Sequence, residues 1–169
     1  PFMEEADDFE NNKNEIIQTV LKAASFDDIP FSVFKVTGLG KTSLIRKLNQ
    51  KAIELSKSEQ LEKEQLINRI DQICKIAYQN SIPIFIDAED SWYQNFIDEV
   101  AETMIAKYNL KMPIVYNTIQ LYRHDRIDYI KNLIDRCKSE NIFLGLKLVR
   151  GAYMEKEREE ALDNGYQDP

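Results

Sequence analysis

One histidine and two cysteines in 169 residues leave few ways to build a nucleophilic or metal site. The lone imidazole, His124, has no second histidine and no cysteine near it, which argues against a Ser-His-Asp or Cys-His hydrolase. Cys74 and Cys137 lie far apart without metal-ligand spacing, each on the apolar stripe of a predicted helix. We therefore expect two buried free thiols in a reducing compartment, an exposed His124 and no metal site.

Positive charge and long apolar runs are also scarce. Lysine and arginine number 22 against 29 aspartates and glutamates, and the net charge of −7 disfavours a nucleic-acid-binding face. Apolar stretches such as Ile82–Ile86 fall far short of the roughly 20 residues that span a bilayer, so any membrane association would be peripheral. The acidic amino terminus is unlike a signal peptide, and a start at Pro1 suggests a chain cut from a longer one.

What the sequence does contain is an alternation of short apolar runs and longer amphipathic segments. The runs are rich in Val, Ile and Phe and nearly continuous in hydrophobicity, which is typical of strands buried on both faces. The predicted strands are Phe31–Thr37, Ile82–Asp87, Pro113–Ile119 and Phe143–Val149. The last three recur at intervals of about 30 residues, the length of a βαβ unit.

Between the strands, apolar residues repeat with helical spacing. The predicted helices are Glu15–Ala24 behind a frayed polar stretch at Glu4–Asn14, Thr42–Ser56, Gln60–Tyr78, one beginning at Ser91, Asp125–Lys138, and a last one that Asn164-Gly165 ends. Ser91 and Gln94 have the spacing of a capping box. Ser56–Gln60 is the one segment that the composition marks as a flexible joint.

Strand–helix alternation predicts an α/β fold with a parallel sheet. Two architectures fit, an open doubly wound sheet and a (β/α)8 barrel, and four units do not choose between them. In both architectures, ligands bind at the carboxyl ends of the strands. The length predicts a single domain that buries a sizeable core.

Charged or amide side chains interrupt or follow all four predicted strands. Lys35 lies within the first and Asp87 ends the second. Gln120 follows the third, and Lys147 and Arg150 lie within and just beyond the fourth. Burying a charge costs several kcal/mol unless the charge is paired or used. A core ion pair would explain one such residue, but four at corresponding places on successive strands indicate an enzyme site or a binding pocket.

Phosphate-binding motifs are incomplete in this sequence. Gly40-Lys41-Thr42 resembles the end of a P-loop, but Lys35 stands where that motif needs a glycine. No Gly-x-Gly-x-x-Gly follows any predicted strand either. Asp87, Glu89 and Asp90 suit a divalent metal, but Glu89 and Asp90 equally suit the positive N-terminus of the next helix, which we favour.

The segment Lys147–Arg158 is the most distinctive in the chain. Gly151 follows the predicted strand directly and would let the backbone approach a flat ligand. Tyr153 would offer an aromatic face and a hydroxyl at the mouth of a barrel. Acidic residues of the next helix are expected on a solvated face; they are Glu157, Glu159 and Glu160.

This segment resembles the signature of the proline dehydrogenase family, flavoproteins also called proline oxidases. The similarity also runs, in the family's order, through FSVFKVTGLG, IPIFIDAED, VYNTIQLYRHD and LGLKLVRGAYMEKEREEALDNGYQDP, and so covers most of Phe31 to Pro169. It implies a (β/α)8 barrel of the TIM type, of which this chain holds roughly the first half. A helical segment at 1–30 would precede about four βα units at 31–169, truncated on the C-terminal side. Since a whole barrel needs about 250 residues, we expect the chain alone to be inactive.

The resemblance also implies a reaction and a set of site residues. FAD would lie at the carboxyl ends of the strands, and L-proline would be oxidised to pyrroline-5-carboxylate by hydride transfer to flavin N5, with electrons passed to a membrane quinone. The implied catalytic residues are Lys35, Asp87 and Tyr153. The implied cofactor-binding residues are Gln120, Lys147, Val149, Arg150, Gly151 and Met154. The implied compartment is the cytoplasm or the periphery of the inner membrane in a bacterium, and the mitochondrion in a eukaryote.

Two residues depart from part of that family. Lys147 stands where many bacterial members have arginine, although lysine is found in mitochondrial-type sequences; because lysine lacks the planar fork, tuning of the flavin should differ. Met154 replaces an aromatic residue of some members. The arginines that bind the substrate carboxylate in this family follow the eighth strand, and nothing in this chain matches them.

Two other hypotheses stay open at this point. The chain could be a non-catalytic half-barrel interaction module, which pairs with itself or another chain through exposed sheet edges. It could also be an unrelated metal-dependent barrel enzyme that uses Asp87 and Glu89. The sequence does not choose between proline and hydroxyproline, and it does not set the oligomeric state.

Overall fold

A computed structural model describes residues 6–50, 53–151 and 153–165 of the chain. In these ranges the chain forms six α-helices, four β-strands and a short 3-10 turn at Val36–Gly38. In chain order the helices and strands are α1 (Ala6–Ser25), β1 (Ser32–Phe34), α2 (Thr42–Leu48), α3 (Lys57–Gln79), β2 (Ile84–Ile86), α4 (Ser91–Tyr108), β3 (Val115–Gln120), α5 (Arg126–Ser139), β4 (Leu146–Val149) and α6 (Met154–Asn164).

The four strands form one parallel sheet in the order β1-β2-β3-β4. The register places Phe34 beside Ile86, Ile86 beside Asn117, and Thr118 beside Lys147. A doubly wound sheet reverses its strand order at a switch point, whereas a barrel adds each new strand on the same side. The unreversed order therefore favours the barrel over the open sheet.

The hydrophobic core lies between one face of the sheet and helices α1, α3, α4 and α5. Phe34, Ile84 and Ile86 on that face are at most 4% exposed. Because successive side chains of a strand point to opposite faces, the next residues face away from the core, and Val33 is 45% exposed. The prediction of strands buried on both faces is wrong for this second face. The residues that define it, here called the open face, are Val33, Phe85, Tyr116 and Lys147.

Aromatic rings pack against one another on the open face. Phe31 stacks on Phe85 with ring centroids 4.5 Å apart, and Tyr116 meets Phe85 edge-on at 5.0 Å. The Lys147 ammonium lies 6.0 Å from the centroid of the Phe85 ring. Inward side chains of a barrel stack in layers, so we assign this face to the barrel interior. The aromatic rings form one layer, and the layer above it contains the Lys147 ammonium.

The strands are shorter than predicted at their amino ends. β1 also ends early, at Phe34, because the chain turns into the 3-10 segment that begins at Val36. Only β3 extends past its predicted carboxyl end, to Gln120.

Helix α1 begins at Ala6, so the prediction of a frayed stretch before Glu15 is wrong for its described part. Phe9 is 4% exposed, and the Glu10 carboxylate accepts a hydrogen bond from Arg69 of α3 at 2.6 Å. The first turns of α1 are therefore docked on α3. Residues 1–5, the start of the predicted segment 1–30, lie outside the described residues.

The predicted joint at Ser56–Gln60 is the rigid start of a helix. The Ser56 hydroxyl accepts from the Glu59 N–H at 3.3 Å, while the Glu59 carboxylate accepts from the Ser56 N–H at 2.8 Å. This reciprocal capping box fixes the first turn of α3. Helix α2 ends at Leu48, well before the predicted Ser56.

The predicted capping box of Ser91 and Gln94 is wrong. Asp90 is the N-cap of α4, so Gln94 lies one position too far along the helix for that role. Its amide oxygen accepts instead from the N–H of Glu89 at 3.0 Å, and its amide nitrogen donates to Asp98 at 2.8 Å.

Smaller predictions from the sequence are confirmed. Cys74 and Cys137 are buried free thiols, and His124 is exposed in a turn. Gly165 ends α6 in the left-handed conformation, with φ of 71°. Within the described ranges, no helix combines the length and the apolar character needed to cross a membrane.

Candidate active site

A cavity of about 240 Å³ lies at the carboxyl ends of the four strands, on the side of the open face. Its lining consists of Lys35, Asp87, Ala88, Thr118, Gln120, Lys147, Val149, Gly151 and Tyr153. Seven of the nine residues that the family resemblance assigns to the site are therefore brought together. The volume is below the roughly 300–1,000 Å³ of typical ligand pockets, as expected for one part of a larger site.

Asp87 and Lys147 form an ion pair at the centre of this lining. The Lys147 ammonium donates to the Asp87 carboxylate at 2.8 Å, and both side chains are about a quarter to a third exposed. Asp87 follows β2 and Lys147 lies in β4, so the contact passes over β3 at Thr118. The pair supplies a cation whose position is set by a neighbouring carboxylate.

Lys35 and Tyr153 form a second polar pair at the rim of the cavity. The Lys35 ammonium donates to the Tyr153 hydroxyl at 3.1 Å and lies 5.8 Å from the centroid of its ring. This hydrogen bond raises the pKa of Lys35 above its ordinary value, against the opposing effect of partial burial. Lys35 is therefore a protonated donor at neutral pH, and it holds Tyr153 over the strand ends.

Gln120 and Thr118 bring buried polar atoms without partners to the cavity wall. The Gln120 amide nitrogen donates to the Glu89 carbonyl at 2.7 Å. Its amide oxygen, like the Thr118 hydroxyl, is buried and has no hydrogen-bond partner among the described residues. Orphaned buried atoms of this kind need a partner that the chain does not supply, such as a ligand or a bound water.

The sequence pattern does not identify Thr118 as a residue of the cavity. A threonine in a β-rich run is what strand propensity predicts, so its type alone does not mark it as functional. The signal that would have found it is its position, two residues before Gln120 and on the same face of the strand.

Glu89 is a buried carboxylate beside the cavity. It accepts from the Thr37 backbone N–H at 3.0 Å and from the Thr37 hydroxyl in a short contact. Burial raises the pKa of Glu89, and the two bonds from Thr37 only partly offset that effect. The expectation that Glu89 serves the N-terminus of α4 is therefore wrong, because its carboxylate joins the loop after β1 to the loop after β2.

Asp90 has a partner outside its own helix. Asp90 is the N-cap of α4, but its carboxylate accepts from the Lys156 ammonium at 2.9 and 3.0 Å and makes no capping bond. No group of three or more His, Cys, Asp or Glu side chains in the described ranges is arranged to hold a metal ion.

Gly151 has a structural requirement that the sequence did not reveal. Its φ is +112°, a conformation that residues with a side chain rarely adopt. A Cβ at this position would lie 2.0 Å from a ring carbon of Tyr122. Glycine is therefore needed for the backbone turn and for the packing of Tyr122, besides any approach to a ligand.

Arg150 and Met154 do not line the cavity. Arg150 is exposed at the end of β4, and Met154 is half-buried in the first turn of α6. Any contact of these two residues with a ligand would have to lie outside the 240 Å³ space that the other seven surround.

Helix α6 is docked onto the N-terminus of α4. Glu157 is 3% exposed, and its carboxylate accepts from the Ser91 N–H at 2.9 Å. The expectation of a solvated Glu157 is wrong, because the residue satisfies a backbone donor in the first turn of α4. Glu160 approaches Arg46 at 3.4 Å, and Glu159 is exposed as predicted.

Four parallel βα units in unreversed order define part of a (β/α)8 barrel. The polar cavity lies at the carboxyl ends of the strands, where enzymes of this fold have their active sites. The family model described as proline dehydrogenase matches residues 3–169. The chain therefore belongs to the proline dehydrogenase family.

Named relatives agree with this assignment. Mitochondrial proline dehydrogenase 1 of Drosophila melanogaster is 38% identical over 104 residues, which cover 62% of this chain and 15% of the relative. The Dictyostelium discoideum protein of the same name is 31% identical, with 89% of this chain and 33% of the relative covered. Hydroxyproline dehydrogenase of Xenopus laevis is 33% identical, with coverage of 68% and 25%. The chain thus spans between 15% and 33% of the length of these relatives.

Solved structures confirm the fold. Proline utilization A of Bdellovibrio bacteriovorus, inactivated by N-propargylglycine, superimposes with a TM-score of 0.78 at 16% identity, covering 100% of this chain and 18% of that one. Proline utilization A of Bradyrhizobium japonicum gives 0.72 at 19% identity, with coverage of 95% and 16%.

Proposed function

We propose that this chain forms the first half of the catalytic barrel of an FAD-dependent proline dehydrogenase, which oxidises L-proline to pyrroline-5-carboxylate and passes the electrons to a quinone. The observation that carries this proposal is the cavity at the strand ends. There, an ammonium, a carboxylate, an amide and a tyrosine from all four βα units surround one space. Family membership supports this reaction, and the cavity contains side chains of the kinds that the reaction needs.

The polar atoms of the wall suit a flavin ring. A flavin presents both N–H donors and carbonyl acceptors along one edge. The orphaned Gln120 oxygen is an acceptor, the Thr118 hydroxyl both donates and accepts, and the Lys147 ammonium is a donor. This donor and acceptor set fits the cofactor.

In this proposal, Gln120, Lys147, Val149 and Gly151 hold FAD from the cavity wall, while Arg150 and Met154 contact it outside the cavity. Bound FAD would supply the two-electron acceptor for a hydride. Lys147, fixed by Asp87, places a positive charge where negative charge develops on reduction. The Lys147 and Asp87 side chains are held by their ion pair before any ligand binds, so they need little reorganisation when the cofactor is reduced.

Lys35, Asp87 and Tyr153 would face the substrate. Lys35 occupies a lone pair of the Tyr153 hydroxyl, which leaves the hydroxyl proton for a ligand. The ammonium of Lys35 and the carboxylate of Asp87 give the site both signs of charge, which suits an amino acid zwitterion.

The names of the relatives suggest a substrate class and a location. Proline and hydroxyproline are the two candidates, since one relative is named for each. In a eukaryotic source the protein would be mitochondrial, like the relatives so named. In a bacterial source it would be cytoplasmic or bound to the periphery of the inner membrane, where it would meet the quinone.

The test is a spectral and kinetic one on the full-length protein. We expect a flavin absorption spectrum that bleaches when L-proline is added, with dye or quinone reduction. The value of kcat/KM for L-proline should be compared with that for hydroxyproline to assign the substrate. A colourless protein without proline-dependent reduction would contradict the proposal.

A second measurement concerns the 169-residue chain alone. Its four strands lack the other half of a barrel, so we expect no proline-dependent dye reduction even with added FAD. Turnover near that of the full-length protein would contradict this expectation. A colourless, stable dimer of the chain on size exclusion would instead favour the half-barrel interaction module.

A further inference from the structure

The Glu89 peptide is held on both sides by glutamine side chains. Its N–H donates to the Gln94 amide oxygen at 3.0 Å, and its carbonyl accepts from the Gln120 amide nitrogen at 2.7 Å. Gln94 comes from α4, behind the sheet, whereas Gln120 lines the cavity in front of it. Both side chains are 1% exposed, so neither can exchange these bonds for bonds to solvent.

The orientation of the Gln94 amide is set by its two partners. The Glu89 N–H can only donate, and the Asp98 carboxylate can only accept, at 2.8 Å from the Gln94 nitrogen. A flipped amide would place donor against donor and acceptor against acceptor in a buried space. Gln94 therefore has one permitted orientation, which fixes the Glu89 peptide.

Asp98 is in turn immobilised by two further contacts. The Asn117 amide donates to the same oxygen as Gln94 at 2.9 Å, and Arg126 donates to the other oxygen at 2.6 Å. Both side chains of the Asp98–Arg126 pair are at most 7% exposed. A buried and fully bonded carboxylate of this kind is a rigid anchor.

We propose that Gln94 and Asp98 are positioning residues which, through the Glu89 peptide, hold the Gln120 amide with its oxygen toward the flavin. The Glu89 carbonyl engages the Gln120 nitrogen, so the oxygen is the atom of this amide that has no partner among the described residues. The chain of contacts thus runs from the helix layer to the cavity wall. This inference rests on the proposed function, since it concerns a contact to FAD.

The test uses a double-mutant cycle in the full-length protein. Gln94→Glu keeps an acceptor for the Glu89 N–H but sets a second carboxylate against Asp98. We expect the Kd for FAD, measured by flavin fluorescence quenching, to rise about tenfold, with shifts in the visible absorption bands and the flavin midpoint potential. Adding Asp98→Asn restores one donor and one acceptor between positions 94 and 98, but it also removes a charge partner of Arg126. The Kd of the double variant is therefore compared with that of Asp98→Asn alone, and we expect the two values to agree within about threefold.

Two further variants separate positioning from folding. Gln18→Glu makes the same charge change on an exposed glutamine of α1 and should alter neither Kd nor spectrum. Gln94→Asn keeps a neutral amide, but its side chain is one methylene too short to bridge Glu89 and Asp98. If Gln94→Glu does not fold, this variant still tests whether Gln94 positions the Gln120 amide. We expect it to weaken FAD binding while leaving the circular dichroism spectrum unchanged.

The outcomes distinguish the two proposals. If the unmodified protein does not bind FAD, the proposed function fails and this inference fails with it. If the unmodified protein binds FAD and the folded Gln94 variants bind it with the same Kd and spectrum, this inference alone is overturned. Lower thermal stability of those variants with unchanged flavin properties would show a structural role and would also overturn it.

Discussion

Asp87 and Lys147 lie 60 positions apart in the chain, yet their side chains meet at 2.8 Å above the strand that separates them. The contact is possible because both residues belong to the open face and the sheet between them is parallel and in register. Neither residue can leave the pair without placing a lone charge on a half-buried wall. The site is thus partly assembled before a ligand arrives.

The first prediction concerns the charge of Lys147. Lys147→Met in the full-length protein should lower kcat/KM for proline by about 100-fold or more, as when one donor to a developing charge is lost. Lys147→Arg keeps a donor for Asp87 and should stay within about tenfold. Steady-state dye reduction measures both, and Lys138→Met, on an exposed lysine of α5, is the control. Near-normal activity of Lys147→Met would refute the assigned role.

The second prediction compares two glycines with positive φ. Gly151→Ala should lower the free energy of unfolding by about 2–3 kcal/mol. The alanine would have a strained positive φ, and its Cβ would also clash with the Tyr122 ring. Gly165→Ala adds a Cβ with no atom within 4 Å and should cost about 1 kcal/mol. Urea unfolding measures both values. Equal losses at the two positions would contradict the requirement for space beside Tyr122.

The third prediction concerns the docking of α6. Glu157→Ala should cost about 1–3 kcal/mol, since the half-buried Ser91 N–H loses its acceptor and the Glu157 side chain leaves a buried space. Glu159→Ala, two positions along the same helix and exposed, should change stability by less than about 0.5 kcal/mol. Limited proteolysis should cut the Glu157 variant faster within α6. If the two variants are cleaved at the same rate, Glu157 does not anchor the helix.

The fourth prediction concerns pH. The pKa of Glu89 is raised by burial above its ordinary value of 4.5, so the folded protein binds this proton more tightly than the unfolded chain. The stabilising contribution is complete below pH 4.5 and is lost as the pH rises through the raised pKa. The free energy of unfolding of the unmodified protein, relative to Glu89→Gln, should therefore fall as the pH rises from 4.5 toward neutrality. A constant difference in urea titrations across that range would count against the shift.

Much of the site could be predicted from the sequence because of how strands end. Lys35, Asp87, Gln120 and Lys147 interrupt or follow apolar runs, and parallel strands bring such positions to one edge. Hydrophobic periodicity alone could not predict the order of the strands, because it does not encode which strands are neighbours; only the family resemblance implied the order of a barrel. The sheet shows that order directly.

Partners distant in sequence account for most of what was wrong. Glu157 has the sequence context of a solvated helix residue, and only its contact with Ser91, 66 positions earlier, reveals its burial. Local pattern rules carry no information about such a long-range contact. Gln94 is a different case, because its real partners, the Glu89 N–H and Asp98, lie only five and four positions away, and the capping pattern fails because Asp90 rather than Ser91 is the N-cap.

The ion pair between Glu10 and Arg69 has a consequence for the order of synthesis. The two residues are 59 positions apart, so at about 5–20 residues per second the ribosome makes α1 roughly 3–12 s before its partner on α3. During that interval the apolar face of α1, including Phe9 and Val20, lacks its partner α3. Until the long α3 has emerged, that face of α1 is therefore open to chaperones and proteases.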